Sequence, residues 1–78
     1  MKYQEQNSSE IKNKIKKVKV AILPLGAVEA HGPHLPLGTD NFLAERISEK
    51  LSNKIECLVF PIIPYGQVWS LEEFPGSI

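Results

Sequence analysis

The chain has 78 residues, of which 42% are hydrophobic and 23% charged, and its nine basic residues balance its nine acidic ones. This length allows one small domain of marginal stability, since a chain of this size buries only roughly 60% of its unfolded surface. The charge balance argues against a nucleic acid as partner of the whole chain, and no apolar run approaches the roughly 20 residues of a membrane span.

The N-terminal segment, residues 1–17, is polar and basic. Its first ten residues are expected to be frayed, whereas Ile11 and Ile15, four positions apart, predict a short helix within residues 10–17. A lysine-rich run of this kind either contacts phosphate groups and membrane headgroups or, as we expect here, forms a solvated face. Its members are Lys12, Lys14, Lys16, Lys17 and Lys19. The N-terminus also lacks the apolar core of a signal peptide, which predicts a cytoplasmic protein.

From residue 18 onward the pattern predicts a strand, a loop, a helix and a second strand. The apolar runs at residues 18–26 and 55–63 suit strands that are covered on both faces, as in a parallel sheet. The second run contains Cys57, the only cysteine, which we expect to be a buried small hydrophobe. Residues 40–54 predict an amphipathic helix with an apolar face at Leu43, Ile47 and Leu51, capped by Thr39 or Asp40. This order is a βαβ unit, with parallel strands and a right-handed crossover.

The loop between the first strand and the helix holds both histidines of the chain, in the stretch "AVEAHGPHLPLGTD" at residues 27–40. Glu29 and His31 point the same way if the backbone is extended there, and Asp40 returns at the start of the helix. Loops beyond the carboxyl ends of parallel strands are where ligand sites gather. Oxygen and imidazole groups on a stiff loop suit zinc or manganese. Alternatively, these are ordinary loop histidines and Asp40 is merely a helix cap; spacing alone does not decide.

Two motifs in this chain resemble the N-terminal portion of the creatininase (creatinine amidohydrolase-like) family. The first is "LPLGAVEAHGPHLPLGTD" and the second is "FPIIPYGQVWSLEEFPGSI". The resemblance covers residues 18–78, which we treat as part of one creatininase-like domain, and it implies an α/β fold. Within that fold, the chain would form the N-terminal βαβ part of a three-layer αβα structure with a mostly parallel sheet.

The resemblance also implies a site for two divalent ions, zinc or manganese, that hydrolyses a C–N bond of a cyclic amide or formamide. Carried across by position, Glu29 binds one metal, His31 binds the other and Asp40 bridges both. His34 and Thr39 lie around these ligands without binding metal, and Thr39 fixes the entry to the helix. Candidates for the substrate pocket are Tyr65, Gly66 and Trp69.

The chain also departs from the family pattern. The family's remaining ligands, a His-x-Glu pair, lie downstream of Phe-Pro-Gly, whereas this chain has no third histidine. Ser70 and Leu71 stand where many members have Glu-His, and Ser77 replaces the usual Thr. We therefore expect the chain alone to be inactive and to need a complementing C-terminal part or a homo-oligomer. The alternatives are a non-catalytic module that binds metal or subunits, through an exposed Trp69–Phe74 surface, and a non-functional truncated relic.

Overall fold

The computed structural model describes residues 1–66 and 73–78 as a small α/β unit. In chain order it contains a 3₁₀ turn at Tyr3–Glu5, helix α1 at Ser8–Lys14, strand β1 at Ala21–Ile22, helix α2 at Thr39–Ser52 and strand β2 at Leu58–Val59. The predicted Trp69 pocket position and most of the Trp69–Phe74 surface lie outside the described residues. No helix in the described part is long and apolar enough to cross a membrane.

Strands β1 and β2 are parallel, with Ala21 opposite Leu58 and Ile22 opposite Val59, which confirms the predicted parallel βαβ pairing. Each strand is much shorter than the apolar run that predicted it, although the pairing continues as separate hydrogen bonds. The Ile63 N–H donates to the Pro24 carbonyl (3.0 Å), and the Gly26 N–H donates to the Ile63 carbonyl (2.9 Å). Proline has no N–H to donate to a ladder, so Pro24, Pro61 and Pro64 interrupt the regular strands.

The first residues of the chain pair with the sheet, so the prediction that residues 1–10 are frayed is wrong at their beginning. The Val59 N–H donates to the Met1 carbonyl (2.7 Å), and the rings of Tyr3 and Phe60 meet edge to face, 4.6 Å apart. Helix α1 begins two residues before the predicted range. Its start is set by a capping box in which Asn7 and Glu10 each accept the other's backbone N–H.

Helix α2 occurs where the sequence predicts it, but its cap and its buried face differ from the prediction. The N-cap residue is Gly38, without a side-chain cap, because the Thr39 hydroxyl donates instead to the Pro36 carbonyl. The buried residues of α2 are Asn41 and Ser48. The apolar stripe at Leu43, Ile47 and Leu51 is 58%, 49% and 41% exposed. The helix therefore packs on the sheet through its small polar side.

The close approach of α2 to the sheet depends on Gly26. A Cβ at that position would overlap Asn41 Oδ1 and would lie 2.9 Å from Asn41 Cα. The buried hydrophobic residues are Val18, Ala27, Cys57 and Leu58, and Cys57 is only 2% exposed, as expected for a buried small hydrophobe. Among the described residues, this buried core is small.

Candidate metal centre

Glu29, His31 and Asp40, referred to below as the metal triad, come together at the carboxyl end of β1. Each offers a ligand atom, and the three atoms lie within 4.8 Å of one another. Glu29 and His31 come from the loop after β1, and Asp40 comes from the first turn of α2. Their side chains are 16%, 20% and 40% exposed, so the triad is open on one side. The sequence hypothesis of a His–carboxylate cluster thus corresponds to one place in the fold.

The loop that carries the triad is closed by backbone hydrogen bonds. The Glu29 N–H donates to the Leu37 carbonyl (3.1 Å), and the Thr39 N–H donates to the Pro36 carbonyl (3.2 Å). Gly32 has φ +78, a conformation that residues with a Cβ rarely adopt, and the ring of His34 lies over it. These contacts bring the two ends of the loop, and therefore Glu29 and Asp40, close together.

The orientation of His31 is suited to binding a metal. Its Nδ1 donates to the Glu29 carbonyl (3.0 Å), because a carbonyl oxygen can only accept a hydrogen bond. Its Nε2 lies 3.1 Å from Asp40 Oδ1 and 4.0 Å from Glu29 Oε1. Metal-binding histidines commonly donate their other ring N–H to a carbonyl or carboxylate, which fixes the tautomer. Nε2 is therefore the atom that faces the two carboxylates.

The charges in the triad are crowded in a way that a cation would relieve. Burial and the neighbouring Asp40 raise the pKa of Glu29 above 4.5, and His31 partly opposes this shift. The hydrogen bond to the Glu29 carbonyl, together with Asp40, raises the pKa of His31 above 6.5. A divalent ion bound here would compete with the protons that Glu29 and His31 hold more tightly than usual. The donor set of two carboxylates and one imidazole fits zinc or manganese.

The other predicted site residues are not members of the metal triad. His34 is exposed and is not part of the triad cluster. The Thr39 hydroxyl donates to the Pro36 carbonyl just before α2 begins. Gly66 lines an open groove together with Glu29 and Asp40, whereas Tyr65 is 67% exposed. The roles of His34, Thr39, Tyr65 and Gly66 stay predictions, and Trp69 lies outside the described residues.

Ser77 is a contact residue of the loop that the sequence reasoning missed. Its Oγ accepts the N–H of Ala30, the residue between Glu29 and His31, at 2.9 Å. Only its place in the Phe-Pro-Gly-Ser motif set it apart in the sequence. The 47 positions between the two residues gave no sign that they are in contact.

Comparisons with known proteins identify the family of this chain. The family model for creatinine amidohydrolase matches residues 4–78. A 3-dehydro-scyllo-inosose hydrolase from Thermotoga maritima is 36% identical over 82% of this chain, which spans 21% of that relative. A mycofactocin precursor peptide peptidase from Mycolicibacterium smegmatis is 33% identical over 78% of this chain and 27% of its own length. The creatinine amidohydrolase of Pseudomonas putida is 36% identical over 60% of this chain and 18% of its own length.

The fold agrees as well. A solved structure of a mutant creatininase superposes on 99% of this chain with a TM-score of 0.88 at 26% identity, and the match covers 32% of that protein. The chain thus spans between about a fifth and a third of the length of these relatives. The matched residues include the whole loop of the metal triad and the Phe-Pro-Gly-Ser motif. The chain belongs to the creatininase family of hydrolases.

Proposed function

We propose that this chain supplies the N-terminal ligands of a metal-dependent amidohydrolase site that hydrolyses the C–N bond of a cyclic amide or formamide. The observation that carries the proposal is the convergence of Glu29, His31 and Asp40, with His31 Nε2 directed at both carboxylates. Two of the relatives, a peptidase and an amidohydrolase, are consistent by name with hydrolysis of a C–N bond.

In the proposed site, Glu29 and His31 would each hold one divalent ion, and Asp40 would bind both. Bound zinc or manganese activates water as a nucleophile and polarises a carbonyl oxygen. The chain's own contribution is to orient these ligands: the Glu29 carbonyl holds the imidazole in the tautomer that leaves Nε2 free for metal. The bridging position of Asp40 is carried over from the family resemblance, and a carboxylate suits it because it would offset the repulsion between two cations.

The triad offers fewer groups than two ions require, so the proposed site needs further ligands beyond these three residues. The groove beside the triad is lined by Glu29 and Asp40 and also by Leu43 and Ile47 of the exposed stripe. The same surface therefore carries both the triad carboxylates and exposed apolar side chains. We infer that a C-terminal, creatininase-like part covers this groove, or that a second copy of the chain does, with the complete assembly acting on a small amide.

A metal-binding module without catalysis is the second candidate function, and the exposed stripe on α2 favours it. Large apolar side chains exposed in a row often mark an interaction surface. Such a module would bind metal and a partner but would hydrolyse nothing. The metal site and the exposed stripe are common to both candidates, so activity of the complete assembly is what separates them.

The test is zinc and manganese binding by the purified chain, measured by calorimetry and by metal analysis after dialysis. We expect about one ion per chain, and loss of more than roughly 100-fold in affinity for His31→Ala and for Asp40→Asn, because each removes a direct ligand. His34→Ala is the matched control, since it removes an imidazole from the same loop, and it should cost about tenfold or less. Equal loss from all three variants would contradict the assignment of His34, and no effect from any would exclude the triad as a metal site.

A further inference from the structure

We propose that Ser77 is a positioning residue for the metal triad, and that its hydroxyl sets the geometry of Glu29 and His31 by holding the backbone of Ala30 between them. This inference rests on the proposed function, because it concerns how the triad is prepared for metal. It assigns a role to the segment at residues 76–78, which lies far from the triad in the sequence and next to it in the fold.

The contact consists of two hydrogen bonds on one side of the triad loop. The Ala30 N–H donates to Ser77 Oγ at 2.9 Å, and the Ile78 N–H donates to the Val28 carbonyl at 2.9 Å. Val28 and Ala30 flank Glu29, so the two bonds hold the backbone on both sides of this ligand. One of the two is a backbone–backbone bond, and the other is made by the side chain of Ser77.

The opposite side of the loop is held as well. The Glu29 N–H donates to the Leu37 carbonyl (3.1 Å), and the side chain of Leu37 packs directly against Gly76. A Cβ at Gly76 would lie 2.5 Å from Leu37 Cδ1, and the backbone there has φ +90, so only glycine suits this position. Residues 76–78 therefore contact both edges of the loop that presents Glu29 and His31.

These bonds matter for the triad because extended backbone sends alternate side chains to the same side. Glu29 and His31 share a face only while Val28, Ala30 and their neighbours stay extended. A site that binds metal needs its ligands held within roughly 0.5 Å of the productive geometry, usually by hydrogen bonds from groups behind them. Without the Ser77 hydroxyl, the Ala30 N–H loses this partner, and the peptide between Glu29 and His31 loses one of the bonds that fix its orientation.

The experiment compares zinc affinity, measured by calorimetry, for the unchanged chain and for three serine variants. We expect Ser77→Ala to lose about tenfold in affinity, the lower end of the range for groups that orient ligands, and Ser77→Thr to recover most of it because the hydroxyl is kept. Ser52→Ala is the matched control. It removes a hydroxyl that donates to the Glu49 carbonyl (2.7 Å) at the far end of α2, and it should leave zinc affinity unchanged.

A second measurement does not depend on metal. Amide hydrogen exchange of Ala30 in the metal-free chain should become faster in Ser77→Ala, and it should return toward the original rate in Ser77→Thr. If Ser77→Ala does not fold, the Ser77→Thr variant and the protection of the Ala30 amide in the unchanged chain still test the role of Ser77. An unprotected Ala30 amide in the unchanged, folded chain would overturn the inference.

The outcomes distinguish this inference from the proposed function. If Asp40→Asn abolishes zinc binding while Ser77→Ala stays within about twofold of the unchanged chain, the metal triad stands and the role of Ser77 is wrong. If Asp40→Asn and His31→Ala bind zinc normally, the proposed function fails, and with it the role of Ser77 in preparing the triad. Loss in Ser77→Ala with recovery in Ser77→Thr, and none in Ser52→Ala, supports the inference.

Discussion

Replacing Gly26 by alanine tests whether the approach of α2 to the sheet is as close as the structure shows. The added Cβ would overlap Asn41 Oδ1 and would lie 2.9 Å from Asn41 Cα. That second distance is at least 0.5 Å below the 3.4 Å at which ordinary contact begins. A backbone atom cannot swing aside as the end of a side chain can, so α2 or the β1 segment must shift.

Overpacking of this kind costs typically about 1–3 kcal/mol in the free energy of unfolding, and contact with a backbone atom indicates the upper half of that range. Gly38→Ala is the matched control, because its Cβ would meet only the ring of Phe42, at 3.2 Å. That ring is 62% exposed and can turn away, so we expect a change below about 1 kcal/mol. Since Asp40 precedes Asn41, Gly26→Ala should also weaken zinc binding.

The assay is urea unfolding followed by circular dichroism, with the midpoint and slope fitted for each variant. Asn41→Ala in the Gly26→Ala background should recover about 1 kcal/mol by removing one of the two clashes. Asn41 Oδ1 has no hydrogen-bond partner among residues 1–66 and 73–78, so its removal leaves no described group unpaired. Equal unfolding midpoints for Gly26→Ala and Gly38→Ala would refute the close packing of α2.

Two further predictions concern charge and the exposed stripe. The pKa of His31, followed by NMR in the metal-free chain, should lie above 6.5. Protonated His31 then stabilises the fold fully below pH 6.5, and this stabilisation is lost as the pH rises through the raised pKa. Asp40→Asn should move the pKa back toward 6.5, and an unchanged value would exclude the ion pair. The chain alone should self-associate in sedimentation velocity through its 58%-exposed Leu43. Leu43→Lys should suppress that association, whereas Glu45→Lys, which adds a lysine outside the stripe, should not. Equal self-association of the two variants would mean that the stripe is not the contact surface.

Much of the fold could be predicted because its signals are local. The apolar runs around Ile22 and Leu58 mark the strands, and the spacing of Leu43, Ile47 and Leu51 marks α2 within two residues of its observed ends. The lengths of the strands were predicted less accurately than their positions. Apolar character extends along each run, whereas regular pairing stops where proline removes a donor.

The metal triad was accessible to sequence reasoning because its members lie within 12 consecutive positions around a loop rich in glycine and proline. The contacts that orient its side chains could not be predicted from the sequence. The tautomer of His31 depends on a bond to the Glu29 carbonyl, and the Ala30 N–H between Glu29 and His31 donates to Ser77 Oγ. Residue spacing carries no information about a contact between residues 47 positions apart.

By itself, the sequence determined the order of elements, the parallel βαβ pairing and the ligand types of the triad, because each follows from local periodicity or from side-chain chemistry. Only the tertiary structure decided which face of α2 is buried. Apolar spacing favours burial of Leu43, Ile47 and Leu51, yet Gly26 lets the sheet meet Asn41 and Ser48 closely, and the apolar stripe stays exposed. Periodicity reports which face is apolar, whereas burial also depends on the shape and extent of the surface that faces it.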